Sequence, residues 1–332
     1  MAYPCGLMNA NPRSLRVAVL VPPRVEGARP DQDDTFVQAA EVSDCLAQLG
    51  HMAIEAEYAD HGEATAQTLR TIAPDIVVNL VEEVPEGPDQ LHLVTELLDR
   101  LGLRYTGART AALEATGCKL EMKRMLRTAG LPTALLVDDA PTGAAADWRF
   151  IVKSALEHAS LGLDDNSVVV GADAARKLMA EKAAKFGGPW FAETYIEGRE
   201  FDVGMLEING AVRTLPPAEI LFTGHDNGRP RIFNYASKWD EGSDSFEATP
   251  RVFPPREMPL FDELERIALA AWRLFGISGC AHVDFRVDAA GRPFVLEVNA
   301  NPCLTADAGY TLAAAEAGLT QVDIVAAMLA AA

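Results

Sequence analysis

Along the first hundred residues, short apolar runs alternate with amphipathic stretches. Residues 15–21 read LRVAVLV, the continuous apolar run of a strand buried on both faces. A Pro-rich loop with several Asp follows, and apolar residues then recur at helical spacing over 36–49 and stop at Gly50. Residues 52–58, MAIEAEY, alternate like a strand, 63–72 return to helical spacing, and 76–80 form a third apolar run. Strand, helix, strand, helix, strand is the rhythm of an open parallel α/β unit. A helix over 89–101 ends at Gly102, and the unit is expected to close near Gly107.

Residues 110–129 read as helix up to Gly130 and Pro132, with short strands near 134–137 and 149–152. A loop of small residues then leads to strand and helix again. Further strands are expected at 190–195, 200–206 and 211–216, then a polar, Gly-rich stretch over 223–249. A loop that long inside a compact domain is usually functional. A helix over 257–275, a hairpin over 281–299 and two Ala-rich helices complete the chain. The expected fold class is mixed α/β and α+β, in three parts: an open parallel α/β domain (1–107), a small α+β module (108–188) and a C-terminal region (189–332).

Composition narrows the function. The chain has 332 residues, 49% hydrophobic and 23% charged, as expected of a soluble protein with two or three domains. Its net charge of -19, without any basic block, argues against nucleic-acid binding. Cys5, Cys45, Cys118, Cys280 and Cys303 are scattered with no Cys-x-x-Cys pair, which reads as reduced thiols. The N-terminus lacks an apolar signal core, and no run approaches the roughly 18 apolar residues that span a bilayer, so the expectation is a cytoplasmic protein without a membrane partner.

The most informative segment is AHVDFRVDAAGRPFVLEVNANP, residues 281–302. If residues 289–292 form the loop, Asp288 pairs with Pro293, Asp284 stands opposite Glu297, and Asn299 shares their face. Like charges opposed in apolar strands are destabilising unless something neutralises them. Two carboxylates and an amide oxygen are hard ligands suited to Mg²⁺. Leu296 and Val298 are expected on the other, buried face.

The E-V-N-x-N-P ending, with an Asp at the matching place one strand earlier, resembles the metal-binding end of ATP-grasp ligases of the D-alanine–D-alanine ligase type. The resemblance implies an ATP-grasp fold preceded by an open parallel α/β domain. It implies ATP as the nucleotide and two Mg²⁺ ions, replaceable by Mn²⁺, held by Asp284, Glu297 and Asn299. It extends backward. Lys119 and Lys153 match lysines that reach the phosphates, and Ser160 and Gly162 lie in a loop that folds over the terminal phosphate. Glu193 and the backbone through Tyr195 and Ile196 would address adenine, Glu200 the ribose, and Leu296 would pack against the base. Lys238, in NYASKW, matches a lysine that contacts phosphates and developing charge.

The substrate half departs from the pattern. His282 stands where the peptide ligases have an Arg facing the developing oxyanion, and a neutral imidazole donates one hydrogen bond without supplying a fixed cation. Cys303-Leu304-Thr305 replaces a Gly-Met-Thr turn, Ala308-Gly309 replaces a Ser-Leu pair, and Ala159 replaces the first of two serines. Residues 79–90, NLVEEVPEGPDQ, lack the His-Gly-x-x-Gly-Glu-Asp stretch. Glu82, Glu83 and His92 are candidate substrate contacts. The resemblance thus implies an ADP-forming carboxylate–amine ligase acting through an acyl phosphate on small, amino-acid-like acids and amines other than D-alanine, assembled as a homodimer. A small-molecule kinase and a non-catalytic ATP-binding regulator are the alternatives.

Overall fold

A computed structural model describes residues 13–141, 146–156, 160, 162–224, 228–256 and 259–332. Cys5, Ala159 and the expected start of the long helix at 257 lie outside the described residues. In the first region β1 (Arg16–Val21) is flanked in parallel by β2 (Met52–Glu57) and β3 (Ile76–Asn79), in the order β2-β1-β3. The helices α1 (Pro30–Gln48), α2 (Glu63–Ile72) and α3 (His92–Arg100) cover the two faces. α1 begins earlier than the apolar spacing predicts. Pro30 presets the first helical φ, and Asp31 and Asp33 suit the positive helix end, so the Asp-rich stretch is first turn rather than loop.

The predicted helix over 110–129 is two helices, α4 (Thr110–Gly117) and α5 (Lys119–Thr128), broken at Cys118. The break has a clear cause: the Lys119 amide donates to Ala155 O at 2.7 Å instead of continuing the helix ladder. A small antiparallel sheet follows, β5-β4-β6, from β4 (Arg149–Ser154), β5 (Val168–Val170) and β6 (Trp190–Thr194), backed by α6 (Ala172–Phe186). No strand forms over 134–137. Leu136 makes a single bridge to Glu193, and Val137–Asp139 turns as 3₁₀ helix.

The third sheet has six strands, in the order β10-β9-β7-β11-β12 with β8 paired to β7. They are β7 (Arg199–Ile208), β8 (Ala211–Thr214), β9 (Ala218–Ile220), β10 (Arg251–Val252), β11 (Cys280–Val287) and β12 (Pro293–Asn299). The stretch expected to be one polar loop contains two short helices, α7 (Tyr235–Trp239) and α8 (Asp244–Glu247). One face of the sheet buries Phe201, Val203, Phe285 and Val298 against α9 (Pro259–Phe275). The last helices, α10 (Gly309–Glu316) and α11 (Gln321–Ala331), join this sheet to the first: Ile324, Val325 and Met328 share one core with Val17, Val19, Leu46 and Leu206. Among the described residues no single helix is long and apolar enough to cross a membrane.

Candidate active site

A large cleft opens between the three sheets, and the thirteen residues that the sequence assigns to catalysis, nucleotide and metal all line it. At its floor, β11 and β12 pair antiparallel with Asp284 opposite Glu297 and His282 opposite Asn299, so the four polar side chains lie together as the alternation predicts. The rest of the hairpin corrects the expected register. Val287, not Asp288, faces Pro293, and a bulge between Asp284 and Phe285 in the pairing absorbs Leu296 as the extra residue. Leu296 therefore does not join Val298 in the core: it is half-buried and lines the cleft beside Glu297, while Val298 is fully buried.

Two turns of α5 deliver two lysines to this floor. Lys119 Nζ lies 2.9 Å from Glu297 Oε1, and Lys123, one helical turn on, points the same way and is completely buried. Lys123 Nζ pairs with Glu193 Oε2 at 2.6 Å and donates to Thr133 Oγ1 at 3.0 Å. Lys153 Nζ takes the other oxygen of Glu193 at 2.9 Å. Burial alone would raise the Glu193 carboxyl, but the two ammonium groups hold it below its ordinary value. The Glu193 carboxylate is thus occupied in holding Lys153 at the end of β4. Glu200 is similarly engaged, its Oε2 lying 2.8 Å from Arg286 Nη2, and the Tyr195 hydroxyl accepts from the Arg231 amide at 2.7 Å.

His282 stands between two carboxylates, with Nδ1 3.9 Å from Asp202 Oδ1 and Nε2 3.7 Å from Asp284 Oδ1. Asp202 lies opposite Asp284 on β7, and its Oδ1 and His282 Nδ1 are buried without hydrogen-bond partners. Burial, opposed by His282 and reinforced by Asp202 and Glu297, pushes Asp284 up to about 7. Asn299 Oδ1 accepts from the Asn301 amide at 2.8 Å, which fixes the side chain and leaves its second lone pair available.

Two loops meet over the cleft. Ser160, at φ 63°, donates to Phe233 O at 3.4 Å, and Lys238 on α7 sits 5.4 Å above the Phe233 ring. The Tyr235 hydroxyl reaches across to Asp31 Oδ1 at 2.8 Å, tying α7 to α1. The first-sheet wall is strongly acidic. Arg29 pairs with Asp31 and Glu83, Gln38 donates to Glu82 Oε1 at 2.9 Å, and the Cys303 thiol donates to Asp34 Oδ2 at 3.1 Å. Glu82 and Glu83 line the cleft, whereas His92 does not, its ring lying 3.2 Å from Asp89 O at the start of α3.

Sequence reading missed Lys123, Asp202 and Arg286. The first was legible as the i+4 partner of Lys119, and the second as the i+2 neighbour of Glu200 on one strand face. Arg286 carried no such signal, because only sheet pairing sets it beside Glu200.

Residues 142–330 match the family described as D-ala D-ala ligase C-terminus. The chain is 30% identical to the D-alanine–D-alanine ligase of Moorella thermoacetica over 326 residues, 94% of this chain and 97% of that relative. It is also 30% identical, over 82% of its length and 80% of the relative's, to an uncharacterized protein, y4sG, of Sinorhizobium fredii. In fold it resembles the crystal structure of D-alanine–D-alanine ligase from Bacillus anthracis complexed with ATP, with a TM-score of 0.73 at 18% identity, covering 96% of this chain and 97% of that one.

Proposed function

This chain belongs to the D-alanine–D-alanine ligase family of ATP-grasp enzymes, and from that premise we propose that it uses ATP to join a small carboxylate to an amine through an acyl phosphate, releasing ADP and phosphate. The observation that carries the reading is the pairing of Asp284 with Glu297 beside Asn299, Lys119 and the Lys153–Glu193–Lys123 network in one cleft. ATP is the proposed nucleotide, with Leu296 against the base, Glu193 through Ile196 beside it, Glu200 at the ribose, and Lys119 and Lys153 at the phosphates.

The donor set fits Mg²⁺: two carboxylates and an amide oxygen share one face, and Asp202 stands next to them with its Oδ1 buried and without a hydrogen-bond partner. When bound there, Mg²⁺ would draw charge from the phosphate oxygens. Lys153 and Lys238 would stabilise the charge that develops as the acid's oxygen takes the terminal phosphoryl group. His282 can donate a hydrogen bond to the reacting oxygens. Contact between the Ser160 and Phe233 loops would exclude water that otherwise hydrolyses the acyl phosphate before the amine displaces phosphate. The division into domains at 1–107, 108–188 and 189–332 belongs to the same proposal; three separate sheets support it, although the core shared by α11 and β1 crosses it.

The substrates we infer are amino-acid-like and other than D-alanine, because residues 79–90, which carry Glu82 and Glu83, the Cys303–Thr305 turn and Ala308-Gly309 depart from the family pattern. The test is phosphate release from Mg-ATP across a panel of carboxylic acids and amines, with wild type beside Glu297→Ala and products read by mass. An amide formed with ADP and phosphate, and reduced on the order of 100-fold or more in the variant, is expected. A phosphorylated acid that never takes up amine would make the protein a kinase. Turnover no higher than the variant's with every panel member would leave a nucleotide-binding protein without this chemistry.

A further inference from the structure

The floor of the cleft carries a row of carboxylates laid across three neighbouring strands. Asp202 on β7 faces Asp284 on β11, which in turn faces Glu297 on β12. Most acids of this floor are answered by a cation: Glu297 by Lys119 at 2.9 Å, Glu200 by Arg286 at 2.8 Å, and Glu193 by Lys123 and Lys153. Among the described residues Asp202 and Asp284 have no ion pair with a lysine or arginine. What stands between them is one imidazole, that of His282.

The imidazole does not close this arrangement by hydrogen bonding. Its Nδ1 is 3.9 Å from Asp202 Oδ1 and its Nε2 3.7 Å from Asp284 Oδ1, both beyond hydrogen-bond reach. Nδ1 and the Asp202 Oδ1 are buried without a partner, which costs free energy unless a further group joins them. The backbone holds the three residues together. His282 precedes Asp284 by two residues on β11 and so shares its face, and Asp202 is the cross-strand partner of Asp284. One ligand atom from each lies within 4.8 Å of the other two. Ligands about 2.1 Å from a common ion stand roughly 3–4 Å from one another, so a small side-chain adjustment brings all three onto one centre.

An imidazole nitrogen with two carboxylate oxygens is a different donor set from the carboxylates and amide oxygen on the β12 side. Mg²⁺ favours oxygen ligands, whereas a nitrogen ligand favours first-row transition ions such as Co²⁺ and Zn²⁺. We propose that Asp202, His282 and Asp284 bind a first-row divalent transition-metal ion, at a site separate from the Mg²⁺ site of Asp284, Glu297 and Asn299 and joined to it through Asp284. Two positive charges there offset a carboxylate pair that a single imidazolium would leave partly bare. The ring nitrogen that does not bind the ion keeps its proton and can still donate a hydrogen bond.

The experiment titrates metal-free protein with Co²⁺ in a large excess of Mg²⁺, follows the visible absorption of bound Co²⁺, and counts retained metal by elemental analysis. Wild type is compared with His282→Asn, Asp202→Asn and Asn299→Ala. Wild type is expected to retain one Co²⁺ per chain, displaceable by Zn²⁺, and to show a paramagnetically shifted, exchangeable imidazole N–H proton by NMR. His282→Asn should lose that proton signal, and it and Asp202→Asn should each weaken Co²⁺ binding by about 100-fold or more. Asn299→Ala, altered only on the Mg²⁺ side, should bind Co²⁺ as wild type does. A wild type that retains no Co²⁺ or Zn²⁺ against Mg²⁺ overturns the proposal. So does a His282→Asn variant that binds Co²⁺ undiminished, which would place the ion on other histidines or cysteines, or a loss of binding in Asn299→Ala alone, which would place it in the Mg²⁺ site. The titration contains neither nucleotide nor substrate, so its failure leaves the ligase reading standing.

Discussion

Glu82 shows at the scale of one residue how the cleft trades stability for charge. Burial, helped by Asp34, Glu83 and Asp31 and opposed by the Gln38 amide, pushes its carboxyl from an ordinary 4.5 up to about 7. An acid whose pKa is higher folded than unfolded holds its proton more tightly in the native state. Folding stability therefore falls as pH rises from about 4.5 to 7 and stays lower above that window. Gln38 is fixed by accepting from the Leu304 amide at 2.7 Å, so its NH₂ faces position 82 and would bond a glutamine oxygen equally well. Glu82→Gln should stabilise the protein at pH 8 by on the order of 1–2 kcal/mol, with the gain fading toward pH 4.5. Thermal midpoints across that range check it, and an equal gain at both ends would contradict the burial of an ionised carboxylate.

Among the elements, the β11–β12 hairpin and the turn before β7 carry the site. The bulge at Leu296 lets one strand turn both Glu297 and its preceding apolar side chain toward the cleft, which strict alternation forbids. Gly198, at φ 155°, brings the turn so close to β11 that a Cβ there would overlap the carbonyl of Val287. Its own carbonyl accepts from Arg286 Nη1 at 3.0 Å, next to the Arg286–Glu200 pair. Gly198→Ala should therefore cost about 2–4 kcal/mol, through backbone strain and a forced shift of β7 away from β11. Chemical denaturation measures it. A loss below about 0.5 kcal/mol, the range of a neutral surface change, would mean that the turn has room to move.

For the whole molecule the decisive feature is that the chain's last helix completes the core of its first sheet. Ile324 is fully buried among side chains from β1, α1 and β7. Ile324→Ala should cost about 2–5 kcal/mol. Because the core is shared, the loss should appear as faster amide exchange in β1 and in β7 together. Faster exchange confined to one of them would show that the two sheets unfold independently. The same core bears on the cleft, since α1, which packs on it, carries Asp31 on the cleft wall.

Much of this was legible in the sequence. Apolar runs and helical spacing specify the parallel β1–β3 unit, because side-chain period follows directly from backbone geometry. The opposition of Asp284 and Glu297 came from counting along a hairpin, a local relation that a short loop preserves. Whatever depends on contacts between distant segments was not legible. The bulge, the burial of Lys123 against Glu193 and the pairing of Arg286 with Glu200 join residues 70 and 86 positions apart or are set by strand pairing alone. Local pattern tells a residue which face of its own element it occupies. Which other element that face meets, and hence which charges are neutralised and which remain available to a substrate, is decided only when the sheets pack.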